Sequence, residues 1–361
     1  MPVIRLDIAD FRNFVSAKLE PIVDGFNFIY GNNGSGKTSL LEAIYYLSLG
    51  RSFRSSVMSR IVGNTAHKFS LFAHILNQTA QIIPVGMERH VNGDTKIRIS
   101  GNEVRSVADL ATLTPIQLIN SHCFNLLDAP AFRRKFLDWG AFYAYGDFFR
   151  IWKQFERALK QRNAALRKQV APRELAIWTD EVIQYARPLD KLRKEYVQHL
   201  LPLLNSMVSE LLALDNFDVS YHPGWRENAE YADVLAETLE RDRVLGHTQY
   251  GPHRADFKIA INHAPAKDIL SRGQQKLFVC AMLLAQGALL NIDTNKRPIY
   301  LVDDLPSELD ITSRSKLLTL LSRQNAQIFV TAVEQEILKN FLVHHPTKMF
   351  HVEHGVIAER V

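Results

Sequence analysis

The sequence predicts an α/β fold: a mixed sheet with flanking helices and a mostly helical second lobe inserted in it. Three observations carry this. A strand, a glycine-rich loop and a helix follow one another within residues 26–50. An apolar run at 298–302 ends in two carboxylates, Asp303 and Asp304. Between them, over residues 125–246, strand signals fade and helical spacing takes over. The expected layout is a head in two parts, 1–124 and 247–361, around a lobe at 125–246.

Composition sets outer limits. The 361 residues are 47% hydrophobic, enough for one large domain or two ordinary ones. No run of 18 apolar residues occurs, so no membrane span is expected. Met1-Pro2-Val3-Ile4-Arg5 does not read as a signal peptide. Cys123 and Cys280 lack metal-ligand spacing and fit a reduced, cytoplasmic protein. The net charge of +5 is compatible with a nucleic-acid partner without demanding one.

In order along the chain, Ile4, Leu6 and Ile8 alternate with polar residues, which predicts an opening strand. A turn follows at residues 10–14. Residues 26–30 read as a buried strand leading into Gly31-Asn32-Asn33-Gly34-Ser35-Gly36-Lys37-Thr38. That octet fits the P-loop pattern, with Ser39 continuing it, and its strand–loop–helix setting is the one the pattern requires. Glycines let backbone N–H groups turn inward around a polyphosphate, and the helix N-terminus adds its positive end. Lys37 is expected at the β- and γ-phosphates of ATP, and the Thr38 hydroxyl on Mg²⁺. Gly50 is the expected helix stop.

Residues 69–104 read as strands, with hairpin signals at Asn92-Gly93 and Gly101-Asn102. A further strand is expected at 116–121; ABC-type heads place a metal-contacting glutamine at the end of such a strand, whereas here Gln117 lies inside it and Asn120 near its end, and neither is assigned that role. Helices are expected at 133–143 and 152–166. In the second, Trp152, Phe155, Leu159 and Leu166 share one face, while Lys153, Arg157, Lys160, Arg167 and Lys168 gather roughly opposite. From Arg150 to Arg173 there are eight basic residues, Arg162 among them, and one acid, Glu156. Such a stripe is either a solvated helix face or a track for a DNA backbone. Arg133, Arg134 and Lys135 form a weaker second candidate. No base-reading motif is visible, so DNA contact would be indifferent to sequence. Residues 172–215 read as helical with breaks near Pro188 and Pro202.

Strands resume after Gly246. His253 and Arg254, near a turn, are either phosphate or DNA ligands or plain surface polars. Leu270-Ser271-Arg272-Gly273-Gln274-Gln275 opens a helix and resembles the signature motif of ABC-type ATPases. There, a serine hydroxyl and glycine amides bind the γ-phosphate held by another subunit. Asp303 is placed to hold Mg²⁺, and Asp304 to orient or deprotonate the attacking water. Ser307-Glu308-Leu309-Asp310 falls where that class carries its D-loop, and strands at 326–330 and around His354-Gly355 complete a sheet.

GNNGSGKT (31–38), GPHRADF (251–257), LSRGQQK (270–276) and LVDDLPSELD (301–310), with FLDWG (136–140) and KQRNAALR (160–167), resemble the RecF family of bacterial recombination-repair ATPases over essentially the whole chain. The resemblance implies an ABC-type head related to Rad50 and SMC proteins, with a compact helical lobe in place of long coiled-coil arms. It implies Arg12 and Asn13 at the nucleotide, with Ser271, Gly273, Gln274 and Asp310 completing a partner's site. It also implies an ATP-dependent homodimer on duplex or gapped DNA and a weak, DNA-stimulated ATPase. RecO and RecR would be partners, and RecA loading onto strands coated by single-strand binding protein the outcome. Three departures stand out. Asp304 replaces the glutamate usual in ABC transporters, their switch histidine is missing near Thr331, and Arg272 stands where glycine is commoner. The first two fit a slow ATPase used as a timer. The rival reading is the ATPase subunit of a membrane transporter, which the basic helical insert fits poorly.

Overall fold

The structure, a computed structural model, describes residues 1–63, 66–104, 106–304, 309–333 and 345–360. It opens with strands β1 (Val3–Phe11), β2 (Phe14–Leu19) and β3 (Gly25–Tyr30), then helix α1 (Lys37–Leu49). Next come β4 (Lys68–Leu76), β5 (Ile82–His90), β6 (Thr95–Ile99), β7 (Asn102–Glu103), α2 (Val107–Leu113) and β8 (Ile116–Ile119). The middle holds α3 (Pro130–Ala144), α4 (Phe148–Arg167), α5 (Pro172–Leu212), β9 (Asp218–His222), α6 (Tyr231–Glu237) and α7 (Leu239–Leu245). Then follow β10 (Asp256–Ile261), β11 (Ala264–Pro265), α8 (Ala266–Ile269) and α9 (Arg272–Thr294). The last elements are β12 (Ile299–Val302), α10 (Ile311–Ser322), β13 (Gln327–Ala332), β14 (Thr347–Glu353) and β15 (Val356–Arg360).

The chain divides into two compact units, Met1–Cys123 with Leu290–Val361, and Phe124–Leu289. The first holds two six-stranded sheets, β2-β1-β4-β5-β6-β7 and β15-β14-β3-β13-β12-β8. β14, β3, β13, β12 and β8 run parallel, and β15 closes the edge antiparallel. Parallel strands are covered on both faces, which is why β12 is apolar and both β12 and β13 are buried throughout. One apolar cluster joins Leu40, Leu41, Ile44 and Leu47 of α1 to Phe11 and Phe69 of the first sheet and to Ile29, Leu301 and Phe329 of the second. A helix packed on nearly all sides must be apolar nearly all round, as α1 is. Gly50 ends it in the left-handed region, its N–H donating to the Tyr46 carbonyl.

The second unit differs from expectation in four places. It runs to residue 289, so β10, β11 and the Ser271 segment lie in it rather than with a part beginning at 247. β9 is a strand inside the stretch read as helical, paired with β10. Pro188 and Pro202 do not break the chain: both lie inside the 41-residue α5. Each proline forfeits one backbone hydrogen bond, yet Val182, Ala186, Leu189, Tyr196, Leu200, Leu204 and Val208 stay buried along the helix across both. Burial of that stripe outweighs the two local losses. Finally, α9 contains no unbroken run of 18 apolar residues, yet one 18-residue window reaches mean hydropathy 1.6, enough to cross a membrane by length and composition. With 72% of that window buried inside the protein, it is a core helix.

Candidate nucleotide-binding site

The P-loop and the acidic strand end meet in a cleft of about 450 Å³, lined by Asn33, Gly34, Gly36, Lys37, Thr38, Ser39, Asp303, Asp304 and Thr331, with Arg12, Asn13 and Arg54 at its wall. Gly31 leaves β3 at φ 149°, and Gly36 caps α1 at φ 121°. A Cβ on Gly36 would lie 2.6 Å from Asn13 Nδ2, so neither the backbone angle nor the packing admits a side chain there. Lys37 Nζ donates to the Gly31 and Asn32 carbonyls at 2.7 and 2.9 Å, arching over the loop. Burial lowers the Lys37 pKa, and Asp304 and Asp303 push it back up.

β12 delivers Asp303 beside α1 because it lies one strand from β13, which pairs with β3. Thr38 Oγ1 donates to Asp303 Oδ1 at 3.0 Å. Thr331 Oγ1 donates to the same oxygen at 2.9 Å and accepts the Asp304 N–H at 2.8 Å. Burial raises the Asp303 pKa, while the two hydroxyls lower it. Asp304 sits at φ 54°, a turned-back conformation held by that Thr331 contact. In the sequence Thr331 stands out only as a missing histidine; its hydroxyl becomes a site group once β12 and β13 pair.

The residues fit Mg²⁺ and a polyphosphate. A hydroxyl and a carboxylate oxygen already touch, which suits a hard cation that keeps waters and phosphate oxygens as further ligands. Among the described residues no group of three or more His, Cys, Asp or Glu forms a closed metal cage. The buried Ser35 Oγ has no hydrogen-bond partner among the described residues.

Arg12 and Asn13 reach the cleft wall by different means. Arg12 makes a bidentate pair with Glu42, at 2.9 and 2.6 Å, and donates to the Arg60 carbonyl. Glu42 is fully buried inside α1, so its charge needs this partner. An acid within an apolar helix was the overlooked signal. Asn13 Nδ2 donates to the Ser35 carbonyl at 2.9 Å. Gln117 is buried within β8, and Asn120 Oδ1 accepts the His122 and Cys123 N–H groups.

In the other unit, Ser271 caps α9 reciprocally. Gln274 N–H donates to Ser271 Oγ at 3.3 Å, and Ser271 N–H donates to Gln274 Oε1 at 3.0 Å. Ser271, Gly273 and Gln274 are exposed, and a Cβ on Gly273 would meet nothing within 4 Å among the described residues. Asp310 caps α10, accepting the Ser313 N–H. Ser307 and Glu308 lie outside the described residues.

Lys153, Arg157, Lys160 and Arg167 of α4, and Lys168 just past its end, are all exposed. Arg162 is not part of that face. It is fully buried, donating to Asp242 at 2.8 Å and Thr248 at 2.6 Å. Arg133 is likewise engaged, bidentate to Asp256, and Arg134 donates to the Ala255 carbonyl. His253 is half-buried and donates to the Thr248 carbonyl, whereas Arg254 is exposed.

A P-loop at the end of a parallel strand, an acid at the end of a second parallel strand of the same sheet and a serine-capped helix start resembling the ABC signature fit a P-loop ATPase head of the ABC and SMC type. The family model described as RecF/RecN/SMC N terminal domain matches residues 2–358. The DNA replication and repair protein RecF of Shewanella frigidimarina is 43% identical, and that of Shewanella piezotolerans 45%, each over 99% of both chains. A solved structure of the recombination mediator protein RecF with ATP in the RecFOR pathway matches with TM-score 0.88 at 26% identity, over 100% of this chain and 98% of that one. An Smc head bound to the C-winged helix domain of ScpA matches in fold, with TM-score 0.60 at 14% identity over 100% and 97%. The chain belongs to the RecF family. Membership on this scale removes the support for a transporter subunit.

Proposed function

We propose that this chain is an ATP-gated DNA clamp that binds duplex or gapped DNA as a homodimer and, with RecO and RecR, promotes RecA loading at single-strand gaps. The observation that carries the clamp is the Ser271–Gly273 helix start. It is exposed, and its glycine is a poor helix former, with no packing reason for it among the described residues. A phosphate approaching from a second copy supplies that reason. Two chains meeting head to tail would then share two ATP molecules, each P-loop facing the partner's signature.

Within each site, Lys37 and the loop amides hold the phosphates. Thr38 and Asp303 would hold Mg²⁺, which neutralises charge on the β- and γ-phosphates. Asp304 orients water for attack, and its short side chain fits slow turnover. Hydrolysis removes the bridging phosphate and opens the dimer. The exposed basic face of α4 follows the DNA backbone without reading bases.

Analytical ultracentrifugation, with and without ATP and a short gapped duplex, tests this on wild type and Ser271→Arg. ATP-dependent dimers lost in the variant are expected. Monomers under every condition, or normal DNA-stimulated hydrolysis by monomeric Ser271→Arg, would overturn the shared-site clamp.

A further inference from the structure

The β14–β15 hairpin reaches the P-loop from behind. The Gly355 N–H donates to the Ser35 carbonyl at 3.3 Å, and Asn13 Nδ2 donates to the same oxygen at 2.9 Å. The fit is close at both ends of the loop. A Cβ on Gly355 would lie 2.3 Å from the Asn13 carbonyl oxygen, and one on Gly31 would lie 2.2 Å from the Val352 carbonyl oxygen. Gly355 turns the hairpin at φ 77°, a conformation that side chains resist.

In a trans peptide the C=O and N–H point in opposite directions. Two donors pinning the Ser35 carbonyl on one side therefore aim the Gly36 N–H the other way, and Gly36 lines the cleft. Oriented amides of this kind form the anion-binding concavity of a P-loop. We propose that the β14–β15 hairpin is a working part of the nucleotide site. Through the Gly355 N–H, and together with Asn13, it sets the Ser35–Gly36 peptide so that the Gly36 N–H faces the phosphates. Gly355 and Asn13 are then positioning residues that act through the loop. This rests on the reading of the cleft as an ATP site.

The test compares full-length wild type, Gly355→Ala, Asn13→Ala and Gly93→Ala, by calorimetric titration with a non-hydrolysable ATP analogue and by thermal melting. Gly93, in the β5–β6 turn, has φ 99°, and a Cβ there would meet nothing within 4 Å among the described residues. Its alanine variant therefore carries similar backbone strain without touching the loop. Gly355→Ala and Asn13→Ala are expected to weaken analogue binding at least tenfold. Gly93→Ala is expected to lower the melting midpoint and leave affinity unchanged. Wild-type affinity in Asn13→Ala, or in folded Gly355→Ala, would overturn the proposal. So would an equal loss of affinity in Gly93→Ala, since strain alone would then account for it. A wild-type protein that does not bind the analogue would overturn the ATP reading itself, and the hairpin's role with it.

Discussion

Thr331 shows how much one hydroxyl can hold. It donates to Asp303 and accepts from the Asp304 backbone, so it orients a metal-binding candidate and a water-orienting candidate together. Thr331→Val keeps the shape and removes both bonds. ATP affinity should stay within about twofold, while kcat for hydrolysis falls about tenfold, as expected for about 1.4 kcal/mol of lost orientation. Steady-state kinetics decide, and an unchanged kcat would refute the role. His253 makes a second prediction at this scale. Burial lowers its pKa from the ordinary 6.5 to about 4, although its bond to the Thr248 carbonyl opposes the shift. As pH falls through 6.5 the unfolded chain takes up a proton that the folded chain refuses until about 4. Its contribution to stability is thus full above 6.5 and is lost toward 4. His253→Gln keeps a donor without the titration, so urea melts between these pH values should show a flatter slope for the variant. Equal slopes would exclude His253 as the cause.

At the scale of elements, close approach explains residues that pattern alone leaves mute. α3 packs on α5 at Gly140, where a Cβ would lie 2.0 Å from the Tyr196 ring. Tyr196 is itself fixed, since Gln286 Nε2 donates to its hydroxyl at 3.0 Å and to the Phe136 carbonyl at 2.8 Å. Gly140→Ala raises helix propensity yet overpacks this contact. The expected net effect is a loss of about 1–3 kcal/mol in urea denaturation; a gain in stability would mean that the helices part without cost. α4 divides its charges in the same way. Its buried Arg162 is tied to Asp242 and Thr248, while its exposed cations stay available. Changing Lys153, Arg157 and Lys160 together to glutamate should weaken duplex binding equally across sequences. It should also flatten the salt dependence by about 0.9 in log–log slope for each phosphate that is no longer neutralised. Binding measured by fluorescence anisotropy at several salt concentrations tests this, and an unaltered slope would place the DNA elsewhere.

For the whole molecule, the proposed clamp makes nucleotide, dimer and DNA one linked equilibrium, so ATP should tighten DNA binding by the same factor as DNA tightens ATP binding. The parts of this that rest on local chemistry were legible from residue order. The P-loop needs glycines, a lysine and a threonine at fixed spacing, and Asp303 and Asp304 follow an apolar run directly. The serine and glutamine of the capping box sit three residues apart. Whatever depends on distant segments meeting could not be read that way. Pairing of β12 with β13 carries Thr331 to Asp303, 28 residues away. Burial decides that Arg162 and Arg133 are structural while their exposed neighbours stay free of that duty, although all are basic residues on helices. The two prolines of α5 are breakers by propensity, overruled by one continuous buried face. Sequence by itself determined the chemistry each segment can offer, because that chemistry is local. Tertiary structure alone decided which charges are used up in folding and which carbonyls and hydroxyls are aimed at the cleft, because desolvation and hydrogen-bond direction exist only once the sheets have closed.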